Sequence, residues 1–321
     1  MTVMRNVPPS RGALCALLAV IVLVTAGCAG VAQSTSDARK PPPGALGAAE
    51  VDRGQVFAQR DTGALALDLY LPARSPQPAP LVVYAHGGGW DAGDRHLDGD
   101  MLGSAESLTA QALVEHGYAV ATVDYRLSEI APAPAQVLDV SDAVRWLQQD
   151  SGRWNLDPNR VALWGESAGG QIVSQLGAVA ADPTKPGGGL SGIRGVVDWF
   201  GPTDVSPESL VHHPELKDYA RRVLGKYLGC APTDCPSTAD QSSPSKNLSG
   251  AVPPFLIQHG TADSIVPIDQ SLNFAAELRR RGVPVALHPY EGIDHGFPRG
   301  TPMTSQIVDT VVAFVEKTLP R

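Results

Sequence analysis

Arg160-Val-Ala-Leu-Trp-Gly-Glu-Ser-Ala-Gly-Gly-Gln-Ile-Val-Ser-Gln-Leu-Gly-Ala-Val179 joins two apolar runs through a serine set between glycines. Residues 160–165 form a short, largely apolar run suited to a buried strand, and residues 168–179 read as a helix. Between them Gly165 and Gly169 flank Ser167. A turn this tight between strand and helix leaves no room for a Cβ on either side of the serine. The hydroxyl then projects from the turn at the positive end of the following helix. The five residues alone could be a glycine-rich turn holding an ordinary serine. The strand-to-helix context instead favours a serine displayed for nucleophilic attack.

Working outward, strand and helix signals alternate. Residues 55–60 and 64–70 read as paired strands around a turn at Gly63. Residues 81–86 (Leu-Val-Val-Tyr-Ala-His) are continuously apolar up to the histidine, as expected of a central strand buried on both faces. Further strands are expected at 119–124, 193–200, 254–259 and 285–290. Helices are expected at 104–116, 134–149, 269–281 and 304–318, with Val137, Val140, Val144 and Leu147 forming one face of the second. This β-α alternation implies an α/β protein with a mostly parallel central sheet flanked by helices. From about 201 to 252 the alternation stops. The stretch is polar and rich in Pro and Ser, and reads as an irregular insertion over the carboxyl edge of the sheet, where open α/β sheets place their ligand crevice.

Two further groups of residues complete a possible site. His86-Gly87-Gly88-Gly89-Trp90 directly follows a strand. Consecutive glycines let backbone N–H groups approach a developing oxyanion. Gly88 and Gly89, with Ala168 after the serine, are the candidate oxyanion donors. His86 precedes the serine and reads as a brace for this loop. A base and an acid should follow Ser167 in the order acid, then histidine. Asp263 and His295 each lie just past a predicted strand. His288 lies within a strand, and His96 and His116 read as surface residues. His212 and His213 are adjacent in the insertion and lack ligand spacing, so no metal site is expected.

The motifs together resemble the α/β-hydrolase superfamily, within it the esterase/lipase branch near the hormone-sensitive-lipase-like and bacterial feruloyl/acetyl esterases. They are HGGGW (86–90), DYRL (124–127), Asp157-Pro158-Asn159-Arg160, GESAGG (165–170), HGTAD (259–263) with Val266-Pro267, and DHGF (294–297). The resemblance runs from about Val51 to Leu319 and implies the α/β-hydrolase fold, with Ser167, Asp263 and His295 as catalytic triad. It implies a serine esterase acting through an acyl-enzyme on small-molecule carboxylic esters, with short-chain acyl or aryl groups, and without a cofactor. The tryptophan after the glycines also resembles the loop of kynurenine formamidases, which keeps an aryl formamidase-like amide hydrolase open. A catalytically silent binding module on the same fold is a third reading. Such modules usually lack a triad or oxyanion residue, and none is missing here.

Composition sets the outer bounds. The 321 residues carry 43% hydrophobic and 18% charged side chains and a formal net charge of −8. There is no basic run to neutralise phosphates, which argues against a nucleic-acid partner. Arg5 and Arg11 precede an apolar run, Ala13–Val24, that is too short to span a bilayer and reads as a signal segment, 1–27. Val24-Thr-Ala-Gly-Cys28 is similar to a bacterial lipobox, in which Cys28 would carry lipid. Export is therefore expected, to the cell envelope as a lipoprotein or otherwise by secretion, with the membrane reached through a lipid anchor alone. Residues 28–50, rich in Ala, Gly, Ser and Pro, read as a flexible tether, and 51–321 as the catalytic domain. In an oxidising compartment Cys230 and Cys235 read as a local disulfide; as zinc ligands they lack partners. Oligomeric state is not legible.

Overall fold

A computed structural model describes residues 45–211 and 217–321. The expected signal segment, Cys28, the tether up to residue 44, His212 and His213 lie outside the described residues.

Eight strands form one sheet: β1 (Glu50–Arg60), β2 (Gly63–Leu71), β3 (Ala79–Ala85), β4 (Ala119–Val123), β5 (Leu156–Glu166), β6 (Ile193–Trp199), β7 (Phe255–Gly260) and β8 (Val285–Tyr290). Their spatial order is β1-β2-β4-β3-β5-β6-β7-β8. The β1–β2 and β2–β4 pairs are antiparallel and every other pair is parallel. Continuous apolarity put β3 at the centre, and its residues 81–85 are almost completely buried. The parallel strands β3, β5, β7 and β8 all end at the same edge, so His86, Ser167, Asp263 and His295 leave the sheet on one side.

The helices are α1 (Ala105–Glu115), α2 (Ala135–Gln149), α3 (Ala168–Val179), α4 (Pro207–Val211), α5 (Lys217–Leu228), α6 (Pro236–Gln241), α7 (Asp269–Arg280) and α8 (Pro302–Thr318). Helices α2, α3 and α7 share one core on one side of the sheet, with the Val137, Val140, Val144 and Leu147 face buried in it. Helices α1 and α8 share a second core through Leu113, Ile307, Val311 and Val315. Two caps fix helix starts. Ser104 accepts from the Ser107 N–H at α1, and Thr301 and Thr304 bond reciprocally at α8.

The structure corrects four expectations. Strand β1 begins at Glu50, not at 55, because register shifts between Asp52 and Gln55 and between Val56 and Ala58 break the alternation that marks a strand. Strand β5 begins at Leu156, which pairs with Ala79, and not at 160, because a register irregularity separates that first pair from the apolar run that starts at Val161. The tether does not extend to residue 50: Leu46 and Ala48 are buried in the core, and the Ala49 N–H donates to the Leu71 carbonyl at 2.9 Å. The 201–252 insertion is not irregular. It contains α4, α5, α6 and a 3-10 turn at Pro244–Lys246. Leu224, Tyr227 and Leu228 of α5 enter the first core at helical spacing. Cys230 and Cys235 form a disulfide between α5 and α6.

Candidate active site

Ser167 stands between β5 and α3 with φ 50° and ψ −117°, a backbone conformation that non-glycine residues rarely adopt. Such a residue costs about 1–3 kcal/mol unless its surroundings enforce it. Here the Ser167 N–H donates to Trp199 O at 2.8 Å, and Ser167 O accepts from the Gln171 N–H at 3.0 Å. The turn is also crowded, since a Cβ on Gly169 would collide with the Ala85 and His86 carbonyls.

His295 joins two of the expected residues. Its Nε2 lies 3.0 Å from Ser167 Oγ and its Nδ1 lies 2.8 Å from Asp263 Oδ2. With Nδ1–H donating to the carboxylate, Nε2 is the nitrogen left to accept the serine proton. Asp263 is fully buried at its side chain. Its Oδ1 accepts from the Ile265 and Val266 N–H groups at 2.9 and 2.8 Å. Burial by itself would raise its pKa. Hydrogen bonds from His259 and His295 more than offset this and hold the carboxyl well below the usual carboxylate range. Asp294, the sequence neighbour of His295, is exposed and turned elsewhere. Its Oδ1 accepts from the Ser264 N–H, Ser264 Oγ and the His295 N–H, each at 2.8 Å, so it pins backbone.

The glycine loop approaches from β3. Gly88 has φ 102°, and its carbonyl accepts from the Asp91 and Ala92 N–H groups, both at 3.1 Å, closing a tight turn. The N–H groups of Gly88, Gly89 and Ala168 have no acceptor among the described residues. His86 is buried, with Nδ1 2.7 Å from the Gly87 carbonyl and its ring stacked on Tyr125 at 4.2 Å. Burial pushes its pKa down, and it braces the loop. The DYRL residues are also structural. Asp124 accepts from Arg95, and Arg126 grips the buried Asp139 of α2.

Four surrounding residues were not picked out from sequence. His259, fully buried, places Nε2 3.1 Å from Asp263 Oδ2 and 2.8 Å from Val266 O, with Nδ1 2.7 Å from Ser271 Oγ. Its place at the head of the HGTAD stretch is the sequence signal that could have found it. Phe200 has φ 42° and sets its ring edge-on to His295 at 4.9 Å. Glu166, the residue before Ser167, is half-buried beside Glu106 of α1; its Oε1 accepts from Tyr84 Oη at 3.0 Å and the Gly87 N–H at 3.3 Å. Burial and the second carboxyl push its pKa up to about 8. Gln171, four residues after Ser167, binds the insertion and the glycine loop together.

The sheet order, the strand-to-helix turn at Ser167 and the loops that meet there define an α/β-hydrolase. The chain belongs to the BD-FAE family, whose model matches residues 67–278. It is 29% identical over 243 residues to the esterase LipC of Mycobacterium tuberculosis, covering 74% of this chain and 58% of LipC. It is 30% identical over 239 residues to the carboxylesterase NlhH of the same organism, covering 71% and 70% of the two chains. The chain thus spans little more than half the length of LipC, and 45% of the length of LipM, a probable carboxylic ester hydrolase from that organism. Among solved structures, Thermogutta terrifontis esterase 2 phosphonylated by sarin superposes with a TM-score of 0.68 at 25% identity, covering 88% of this chain and 99% of that one. A truncated carbohydrate esterase from gut microbiota gives a TM-score of 0.69 at 23% identity, covering 85% and 97%, which bears on the fold alone.

Proposed function

We propose that the protein hydrolyses small carboxylic esters with Ser167 as nucleophile. The observation that carries the reading is His295 standing between Ser167 Oγ and Asp263, at 3.0 and 2.8 Å. His295 takes the serine proton as Oγ attacks the ester carbonyl carbon. Asp263 holds the imidazole in the required tautomer and stabilises its charge. The Gly88, Gly89 and Ala168 N–H groups receive the oxyanion. His295 then gives its proton to the leaving alcohol as the tetrahedral intermediate collapses to an acyl-enzyme. Water repeats the sequence, releasing the acid and restoring Ser167. The esterase names of its relatives support the reaction class. Ser167 is 9% exposed, which favours slender acyl or aryl groups at the carbonyl. Chromogenic acetate and butyrate esters test the reading. Ser167→Ala should abolish turnover with the fold intact, and an organophosphate found on any other serine would sink the assignment.

The N-terminal segment extends the reading to location. Export, with lipid on Cys28, would hold the enzyme at a membrane, and Cys28→Ser should release it. Mass spectrometry that finds Cys28 unmodified in the exported protein rules the anchor out.

A further inference from the structure

The 201–252 insertion, which sequence left without a role, meets the glycine loop at one buried side chain. Gln171 of α3 is completely buried. Its Oε1 accepts from Trp90 Nε1 at 3.1 Å and from Tyr227 Oη at 3.2 Å, and its Nε2 donates to Ser242 O at 2.8 Å. Both donors meet one end of the amide and the carbonyl meets the other, so the amide has a single satisfiable orientation. Trp90 follows Gly88 and Gly89 directly. It has φ 57°, an uncommon conformation for a bulky residue and one that persists only when its surroundings enforce it. The enforcement is on view: Gln171 holds its indole N–H, Tyr227 stacks on its ring at 4.1 Å and 12°, and Ser128 donates to its carbonyl through N–H and Oγ at 2.7 and 3.0 Å. Tyr227 and Ser242 belong to the insertion, and the Cys230–Cys235 disulfide lies between them in the chain.

We infer that Gln171 is a positioning residue, which sets the Gly88 and Gly89 donors by clamping Trp90 to the insertion, and that the disulfide keeps the two insertion contacts in place. The inference rests on the proposed hydrolysis, since the donors matter only if an oxyanion forms. Its signature is kinetic. Donors that act on the oxyanion contribute in the transition state, so displacing them lowers kcat and leaves KM almost untouched.

The test is Gln171→Leu, similar in size, which leaves the Trp90 indole N–H and the Ser242 carbonyl unpaired and removes one of the Tyr227 hydrogen bonds. Removing an oxyanion donor outright lowers kcat about 10²–10³-fold, so displacing the donors should lower it about 10–10²-fold, with KM within about twofold on a short acyl ester. Replacing both Cys230 and Cys235 by Ser should lower kcat in the wild type, and add less than about twofold in Gln171→Leu, because the two changes act through one contact. A folded Gln171→Leu enzyme with wild-type kcat, or one changed only in KM, overturns the proposal. If Gln171→Leu does not fold, Tyr227→Phe keeps the ring stack and removes one hydrogen bond. It should lower kcat severalfold at constant KM, and an unchanged kcat counts against the clamp. If the folded wild type turns over no ester and takes no organophosphate at Ser167, the hydrolysis reading fails separately. Limited proteolysis then decides the clamp: faster cutting within 201–252 in Gln171→Leu supports it, and an unchanged rate refutes it.

Discussion

Two carboxyl groups near Ser167, one buried and one half-buried, have pKa values driven in opposite directions. Asp263, on the loop after β7, is met by N–H groups from His259, His295, Ile265 and Val266. Glu166, at the end of β5, is met by a second carboxyl, Glu106, along with Tyr84 Oη and the Gly87 N–H. Burial raises the pKa of both. Donors outweigh burial at Asp263, so it is an anion. At Glu166 a like group adds to burial, and both push its pKa up to about 8. Partners, more than depth, decide what a buried acid does. In the proposed mechanism the charged site, Asp263, faces the histidine that becomes an imidazolium, and the more neutral site, Glu166, underlies the loop that receives an anion. A negative charge beneath that loop would oppose the reaction.

The largest effect is expected at the charged site. Asp263→Asn should lower kcat about 10⁴-fold, as losing the orienting acid of a serine triad does, and steady-state kinetics on one ester reads it. Full activity in folded Asp263→Asn would remove Asp263 from the mechanism. At the neutral site the reporter is stability against pH. Glu166 binds its proton more tightly folded than unfolded, so the stabilisation from that proton is complete below its ordinary value of 4.5 and is lost as pH rises through about 8. Glu166→Gln copies the protonated form. Its melting temperature should exceed the wild type's by more at pH 8 than at pH 5, and equal differences at both would mean Glu166 is ionised throughout. Asp263 has the opposite sign. Its stabilisation is present above its ordinary value of 3.8 and disappears as pH falls toward its depressed folded value. The smallest effect should come from Asp294→Asn. It loses about tenfold or less in kcat, because Asp294 bonds backbone and Ser264 and does not touch the imidazole. If Asp294→Asn were the crippled enzyme and Asp263→Asn the active one, the charged site would be misassigned.

What sequence disclosed follows from how local each feature is. Ser167, the glycine loop and the two loops bearing Asp263 and His295 are short contiguous motifs, because a tight turn or a strand end dictates their residues. The strand β3 is marked by an unbroken apolar run and the helix α2 by a clean 3.6-residue period. The partners of Asp263 and Glu166 are another matter. Glu106 lies 60 residues before Glu166 in the chain, and nothing about a glutamate near the start of an amphipathic helix announces that it is buried against another. Gln171 is hidden in the same way, since its three partners come from two loops and a helix far along the chain. In the insertion the period was present in α5, at Leu224, Tyr227 and Leu228, but the short helices α4 and α6, among Pro and Ser, masked it. β1 reads short in sequence because two bulges interrupt its alternation.

Those bulges bear on how the protein behaves in company. The sheet has two free edges, β1 and β8. An unguarded edge strand offers a row of unpaired N–H and C=O groups to any other chain. Here β1 is broken by two register shifts, and β8 carries Pro289, which has no N–H to donate. A neighbouring copy therefore meets no long, regular ladder along either described edge, which disfavours edge-to-edge pairing between copies.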